Sequence, residues 1–195
     1  MTAVRVLGIS GSLRRDSFNT ALLRAAGSLL PEGMSLTLQL LHDVPLYNGD
    51  VEAQGLPPAV VAFREAIRAA DGVLISTPEY NNSVPGVLKN AIDWASRGRE
   101  QPLAGKPLAL VSASNGRMGG VRAQLAWMPT LAVLGAQWMH RPQFYLSNAQ
   151  EAFTPDGTLI VERTREQLRA LLASFATWCR THASARAEAD RITGP

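Results

Sequence analysis

A chain of 195 residues with 19 Lys+Arg against 16 Asp+Glu carries a formal charge of +3, and 46% of its positions are hydrophobic. That is one ordinary globular domain, and it excludes a disordered or fibrous protein. A chain of this length buries about 70% of the surface its unfolded form exposes, so it needs no metal or disulfide to hold a core. The pI near 9.5 does not point to nucleic acid. The cations are 17 arginines and two lysines spread along the whole sequence, and only 6% of residues are aromatic, whereas a nucleic-acid reader gathers its cations on one face with aromatics interleaved. The single Cys179 can form no intramolecular disulfide, and no thiol or histidine cluster stands near it to hold zinc, which fits a reducing compartment. The opening apolar run ends at polar Ser10, far short of a signal core or a membrane span. A soluble cytoplasmic protein with no nucleic-acid or membrane partner is expected.

Residues 3–9 are short, apolar and β-branched and stop at Ser10-Gly11-Ser12, as a buried parallel strand stops at a loop. From Ser17 the period changes: Phe18, Ala21, Leu22, Ala25 and Leu29 fall at helical spacing, with Ser17 or Asp16 placed to cap the first turn. The alternation repeats with a strand over 35–41, a loop through Pro45 and Gly49, and a helix from Pro57 that carries Val60, Phe63, Ile67 and Ala70. A third strand covers 72–77. Pro85 then stands where a first helical turn tolerates proline, with Leu88, Ala91, Ile92 and Ala95 on one face. Residues 107–113 form a fourth strand, a helix follows Gly119-Gly120 to about Leu134, a weaker fifth strand occupies part of 136–146, and a last helix carries Leu168, Leu171, Leu172 and Phe175. A single domain over 1–182 with a frayed, disordered tail over 183–195 is expected. Strands alternating with helices in this way give an α/β sheet with helices on both faces.

Such sheets bind ligands beyond the carboxyl ends of their strands, where strand order reverses. The loop after the first strand, Ser10 to Thr20, is dense in hydroxyls and amides. At a helix N-terminus the free N–H groups already favour an anion, Ser12, Ser17, Asn19 and Thr20 add neutral donors, and Arg14 or Arg15 adds charge, which suits a phosphate monoester. A simple helix cap is the competing explanation. Gly8 and Gly11 do not make Gly-x-Gly-x-x-Gly, and no Gly-Lys-Ser/Thr follows, so dinucleotide and triphosphate cradles are disfavoured. In the loop after the third strand, Pro78 and Pro85 stiffen a segment whose backbone N–H groups from Glu79 to Val84 are expected to be available to a planar heterocycle, with Tyr80 offering a ring face. The loop after the fourth strand, Ser112 to Gly120, is built of small residues that let a flat ligand approach the backbone. A hydrolase is disfavoured, because Gly8-Ile9-Ser10-Gly11-Ser12 falls one residue short of a nucleophile elbow and no histidine lies in the late loop a triad needs. Cys179, beside Trp178, reads as a core residue.

Gly11-Ser12-Leu13-Arg14-x-x-Ser17-Phe18-Asn19 and the long run Pro78-Glu79-Tyr80-Asn81-x-Ser83-Val84-Pro85-Gly86-Val87-Leu88-Lys89-Asn90-Ala91-Ile92-Asp93-Trp94 resemble the NADPH-dependent FMN reductase family, which includes chromate and quinone reductases and some azoreductases. The similarity continues through Pro45-Leu46-Tyr47-Asn48-x-Asp50, Leu103-Ala104-Gly105-Lys106-Pro107 and Gly119-Gly120-x-Arg122. The resemblance implies a flavodoxin-like three-layer sandwich around a five-stranded parallel sheet of order 2-1-3-4-5, with one noncovalent FMN per subunit and NAD(P)H as co-substrate. It further implies that Ser10, Ser12, Leu13, Arg14, Arg15, Ser17, Phe18, Asn19 and Thr20 surround the flavin phosphate. Pro78, Glu79, Tyr80, Asn81 and Asn82 would meet the ring, and Ser114 and Asn115 would close the pocket. No side chain is assigned as acid or base. Members form dimers or tetramers, with the helix after Pro85 at the subunit contact, where Trp94 and Ile92 are expected. Asn82 stands where many relatives carry an aromatic residue, and Leu125 where some carry a tyrosine.

The activity implied is electron transfer from NAD(P)H through FMN to a small-molecule acceptor, with quinones first and chromate, azo compounds and free flavin behind. A flavodoxin-like electron carrier or an FMN-occupied redox sensor is the alternative, although such carriers are strongly acidic and this chain is not. Arg14, Arg15 and Arg117 are candidates to meet an NADPH 2′-phosphate, but arginine is abundant and the choice between NADPH and NADH stays open.

Overall fold

The computed structural model describes residues 3–98 and 100–193, with side chains described as far as residue 183. In chain order the elements are β1 (Val4–Ser10), α1 (Phe18–Ser28), β2 (Met34–Gln39), α2 (Gly49–Ala53), α3 (Pro58–Ala69), β3 (Gly72–Ser76), α4 (Gly86–Ala95), β4 (Pro107–Ala113), α5 (Val121–Val133), β5 (Gln137–Trp138), β6 (Phe144–Leu146), α6 (Ala149–Ala152) and α7 (Glu162–Thr193). All pairings are parallel and the order is β2-β1-β3-β4-β5, the doubly wound order that reverses direction between β1 and β3. The expected fifth strand divides in two. β5 and β6 both pair with β4, at Leu108 and at Val111 to Ala113 respectively. Between them Pro142 has no N–H to offer a ladder. The short helices α2 and α6 were not expected. The course of α7 runs past His182, where the domain was expected to end; residues 194–195, and the side chains from 184 onward, lie outside the described residues.

Consecutive residues of the central strands face opposite layers. Val6, Leu74, Ala109 and Val111 pack with Leu22, Leu23 and Ala26 of α1 and Leu168, Leu172 and Phe175 of α7. Leu7, Ile75, Leu108 and Leu110 pack with Phe63 and Ile67 of α3, Leu88 and Ile92 of α4, and Trp127 of α5. β1, β3 and β4 are buried on both faces, while the edge strand β2 is only half covered, which explains why the first three read as continuous apolar runs. Each fully buried large side chain contributes roughly 1.5–3 kcal/mol.

Trp94 and Ile92 belong to this core, both at 0% exposure, which corrects their expected place at a subunit contact. The spacing that makes α4 amphipathic turns Ile92 toward α3 and the sheet, while the Trp94 ring meets Tyr47 edge to face, with ring centres 4.9 Å apart. Trp94 is further fixed by its Nε1–H, which donates to the Pro45 carbonyl at 2.9 Å. Beyond the end of α4, the buried Arg64 donates to the carbonyls of Ala95, Arg97 and Glu100. That provides the terminal acceptors with a cation where the helix dipole favours one.

Cys179 is buried, and burial first, with the Asp71 carboxylate second, pushes its thiol up to about 12. A Cβ on Gly72 would lie 2.5 Å from its Sγ and 3.0 Å from Phe175 Cζ. Gly72→Ala is therefore expected to lower stability by about 1–3 kcal/mol through overpacking, and adding Cys179→Ala should recover part of the loss. Urea denaturation of the two variants checks this; a neutral single substitution would contradict the packing.

Candidate functional site

The carboxyl ends of β1, β3 and β4 bring three loops together. Gly11 is the point of closest approach: its N–H donates to the Ser76 carbonyl at 2.9 Å, and a Cβ there would meet Pro78 Cδ and Leu88 Cδ2, each at 2.9 Å. Only glycine lets the loop after β1 lie this close to the loop after β3. Asn19 then ties the first turn of α1 to both neighbouring strands. Its Oδ1 accepts from Ser76 Oγ and from the Ala113 N–H, both at 3.0 Å, and its Nδ2 donates to the Ala113 carbonyl at 2.9 Å. Its amide oxygen is thus committed to protein contacts.

Ser17, not Asp16, caps α1: its Oγ accepts from the Thr20 N–H at 3.3 Å. Ser10 Oγ and Thr20 Oγ1 share a buried hydrogen bond of 2.7 Å. Ser12 Oγ accepts from the Arg14 N–H at 3.3 Å. The Arg14 guanidinium donates to the Asp16 carbonyl at 2.7 Å and lies 5.7 Å from the centre of the Phe18 ring, which itself stacks on Phe153. Leu13, Arg14 and Arg15 are exposed. Among the described residues, every backbone N–H from Ser12 to Asn19 except that of Arg14 lacks a protein acceptor. Unpaired amides gathered at a helix N-terminus form a cradle suited to an oxyanion.

The loop after β3 is a tight turn. Tyr80 and Ser83 exchange N–H···O bonds of 3.2 and 3.0 Å, and the two central residues Asn81 and Asn82 take left-handed φ values of 50° and 61°, a conformation asparagine tolerates. The expectation that every N–H from Glu79 to Val84 is available is corrected here. Those of Tyr80 and Ser83 are used inside the turn, while those of Glu79, Asn81, Asn82 and Val84 have no protein acceptor among the described residues. The Tyr80 side chain is 50% exposed. Thr77 Oγ1 accepts from Trp127 Nε1 at 3.2 Å and donates to the Pro78 carbonyl at 3.0 Å.

Glu79 faces into the protein rather than over the crevice. Its Oε2 accepts from the N–H groups of Arg122 and Ala123 at 2.9 and 3.3 Å, and its Oε1 is 3.5 Å from the Arg122 guanidinium. It therefore caps α5, whose own N-cap residue is the left-handed Gly120 and supplies no side chain. Arg122 also donates to Asn82 Oδ1 at 3.0 Å, so the turn is braced from α5. In the loop after β4, Ser114 bonds backbone to backbone with Leu146 and Ala149 and its Oγ accepts from the Gly116 N–H at 3.1 Å, while Asn115 is exposed. A Cβ on Gly120 would lie 2.7 Å from Ser112 Cβ. Gln124, which sequence reasoning did not single out, donates to Ser112 Oγ at 2.8 Å and to the Phe144 carbonyl at 2.9 Å.

The crevice therefore combines an anion cradle, a stiff turn with outward amides and an exposed aromatic ring, and a wall of small residues, at the reversal point of a doubly wound sheet. These features define the flavodoxin-like class of ligand-binding α/β proteins. The NADPH-dependent FMN reductase description matches residues 4–151, and the chain belongs to that family. It is 51% identical over 177 residues to an NAD(P)H-dependent FMN reductase of Pseudomonas aeruginosa, covering 91% of this chain and 96% of that one. It is 43% identical over 175 residues to a quinone reductase of Escherichia coli, covering 88% and 93%. Among solved structures, the flavoenzyme NAD(P)H:(acceptor) oxidoreductase of Paracoccus denitrificans superposes with a TM-score of 0.83 at 36% identity, covering 92% and 99%.

Replacing Glu79 by Ala is expected to destabilise the protein by about 1 kcal/mol through the lost α5 cap, and Glu79→Gln, which keeps an acceptor oxygen, to cost less. For Asn19→Ala, three buried hydrogen bonds are lost and the expected cost is about 2–4 kcal/mol. Chemical denaturation midpoints read both; an Asn19→Ala protein as stable as the parent would contradict its role as a tie.

Proposed function

We propose that this chain is an FMN-dependent NAD(P)H oxidoreductase that passes electrons to quinones. The observation that carries the reading is the run of unpartnered amides from Ser12 to Asn19 at the N-terminus of α1, which fits the phosphate of FMN. The redox chemistry, acceptance of hydride from NAD(P)H and return of electrons to an acceptor, is that of bound FMN. The chain's own contribution is to bind and orient. Ser12, Ser17 and the first turn of α1 receive the phosphate, while Ser10, Asn19 and Thr20 hold that loop in shape. Leu13, Arg14, Arg15 and Phe18 border the phosphate end. The free amides of Glu79, Asn81 and Asn82 face the ring edge, preorganised by the braced turn to favour added negative charge there. Pro78 and Tyr80 bound the ring, and Ser114 and Asn115 close the opposite side.

Chromate, azo compounds and free flavin are further acceptors an open crevice of this kind admits. The exposed apolar side chains of Met118, Leu125 and Met128 support a homodimer or homotetramer built beside the crevice. Among the described residues no helix is long and apolar enough to cross a membrane, and we place the enzyme in the cytoplasm.

Purified protein is expected to show flavin absorbance that bleaches on anaerobic addition of NADPH and returns with benzoquinone. Flavin that NADPH leaves oxidised would favour an electron carrier or sensor, and protein that binds no FMN would overturn the cradle assignment. Tyr80→Ala should change kcat/KM for quinones while leaving flavin content near the parent value; an unaltered acceptor profile would remove Tyr80 from the ring.

A further inference from the structure

Five arginines of the described residues pair with carboxylates: Arg5 with Asp71, Arg68 with Glu65 and Glu100, Arg122 with Glu79, and Arg165 and Arg169 with Glu162. Arg14, Arg15 and Arg24 have no carboxylate partner, yet all three border one cleft of about 450 Å³ at the carboxyl end of β2. Its far wall is Leu40 and His42, and the His42 ring holds the Leu13 carbonyl at 3.0 Å, which fixes the cleft's mouth. No acidic side chain lines it. Its inner edge is Ser12 of the phosphate cradle and Thr20, which holds that loop in shape, so the cleft opens directly from the proposed cofactor site.

The neighbouring cleft on the Phe18–Phe153 side, about 420 Å³, shares the three arginines but is also lined by Asp16 and Asp156, the latter carboxylate already bonded by Thr154 and Thr158. Carboxylates there oppose an anion, so the acid-free cleft is the better phosphate site. Guanidinium groups bind a phosphate monoester through paired, charge-assisted donors that no neutral hydroxyl engages equally. The exposed side chains of Leu13 and Leu40 offer an apolar rest for a purine, and the volume lies in the range of small-molecule sites. NADH carries no phosphate monoester, whereas NADPH carries one on its adenosine ribose.

Building on the FMN-dependent reading above, we infer that this cleft receives the 2′-phosphoadenosine end of NADPH, gripped by Arg14, Arg15 and Arg24, and that it sets a preference for NADPH over NADH. Arg24 is the discriminating residue, because it lies outside the segment that cradles the flavin phosphate.

The test is calorimetric titration of the FMN-loaded protein with NADP+ and, separately, NAD+, which differ only in the 2′-phosphate. NADP+ is expected to bind about tenfold or more tightly than NAD+, tenfold being about 1.4 kcal/mol, and to compete with NADPH. Arg24→Gln should erase most of that difference and lower the NADPH:NADH ratio of kcat/KM by a similar factor, through KM. Arg163→Gln, an exposed arginine of α7, should leave the ratio in place. Equal affinities for the two probes, or a preference that survives Arg24→Gln, would overturn the inference. A protein that holds no FMN, or whose flavin neither nucleotide bleaches, would overturn the underlying function instead.

Discussion

The crevice depends on one buried amide. Asn19 joins the first turn of α1 to Ser76 at the end of β3 and to Ala113 at the end of β4, so a single side chain sets the distance between the loop after β1 and the two strands whose loops face it. The geometry follows from what Asn19 leaves undone. With its oxygen occupied, it cannot satisfy the amides around it, and the N–H groups of its own loop remain unpaired. A helix start held this firmly but left unsatisfied is stable only because its open side faces solvent or a ligand.

The cradle and the turn after β3 are both made of main chain. What the sequence contributes there is permission and bracing: Gly11 permits contact with Pro78 and Leu88, Asn81 and Asn82 permit left-handed backbone, and Glu79 with Arg122 clamps the turn to α5. Backbone donors need no reorganisation when charge arrives, and this favours electrostatic stabilisation over acid–base chemistry at this site.

Much of the architecture was legible in the sequence, since β1, β3 and β4 are apolar runs bounded by loop residues and α1, α3 and α4 show a clear period. The cap at Ser17 and the core position of Cys179 were readable for the same local reasons. What escaped was long-range. Glu79 caps a helix that begins more than forty residues later, and nothing around either segment announces the pairing. Trp94 and Ile92 looked like interface residues because apolarity alone does not say which partner covers it; α3 and the sheet cover Ile92, and the Pro45–Tyr47 segment meets Trp94. The Asn81-Asn82 pair did carry a turn signal, and its consequence, two amides withdrawn from any ligand, appears only once Tyr80 and Ser83 are seen facing each other. The arginines of the outer cleft were visible in composition, but their shared lack of carboxylates is a property of three dimensions.

Buried Cys179 has a consequence under the quinone-reducing function proposed above. Quinones are soft electrophiles that add to thiolates, and a reductase working in their presence exposes itself to arylation at every turnover. With the thiol held between Gly72 and Phe175 and its proton retained to about 12, the reactive thiolate form is scarce and out of reach at neutral pH. Among the described residues the chain thus presents no accessible thiol, and under the quinone-reducing function proposed above the packing that seals the core beneath β3 would also protect that sulfur from arylation.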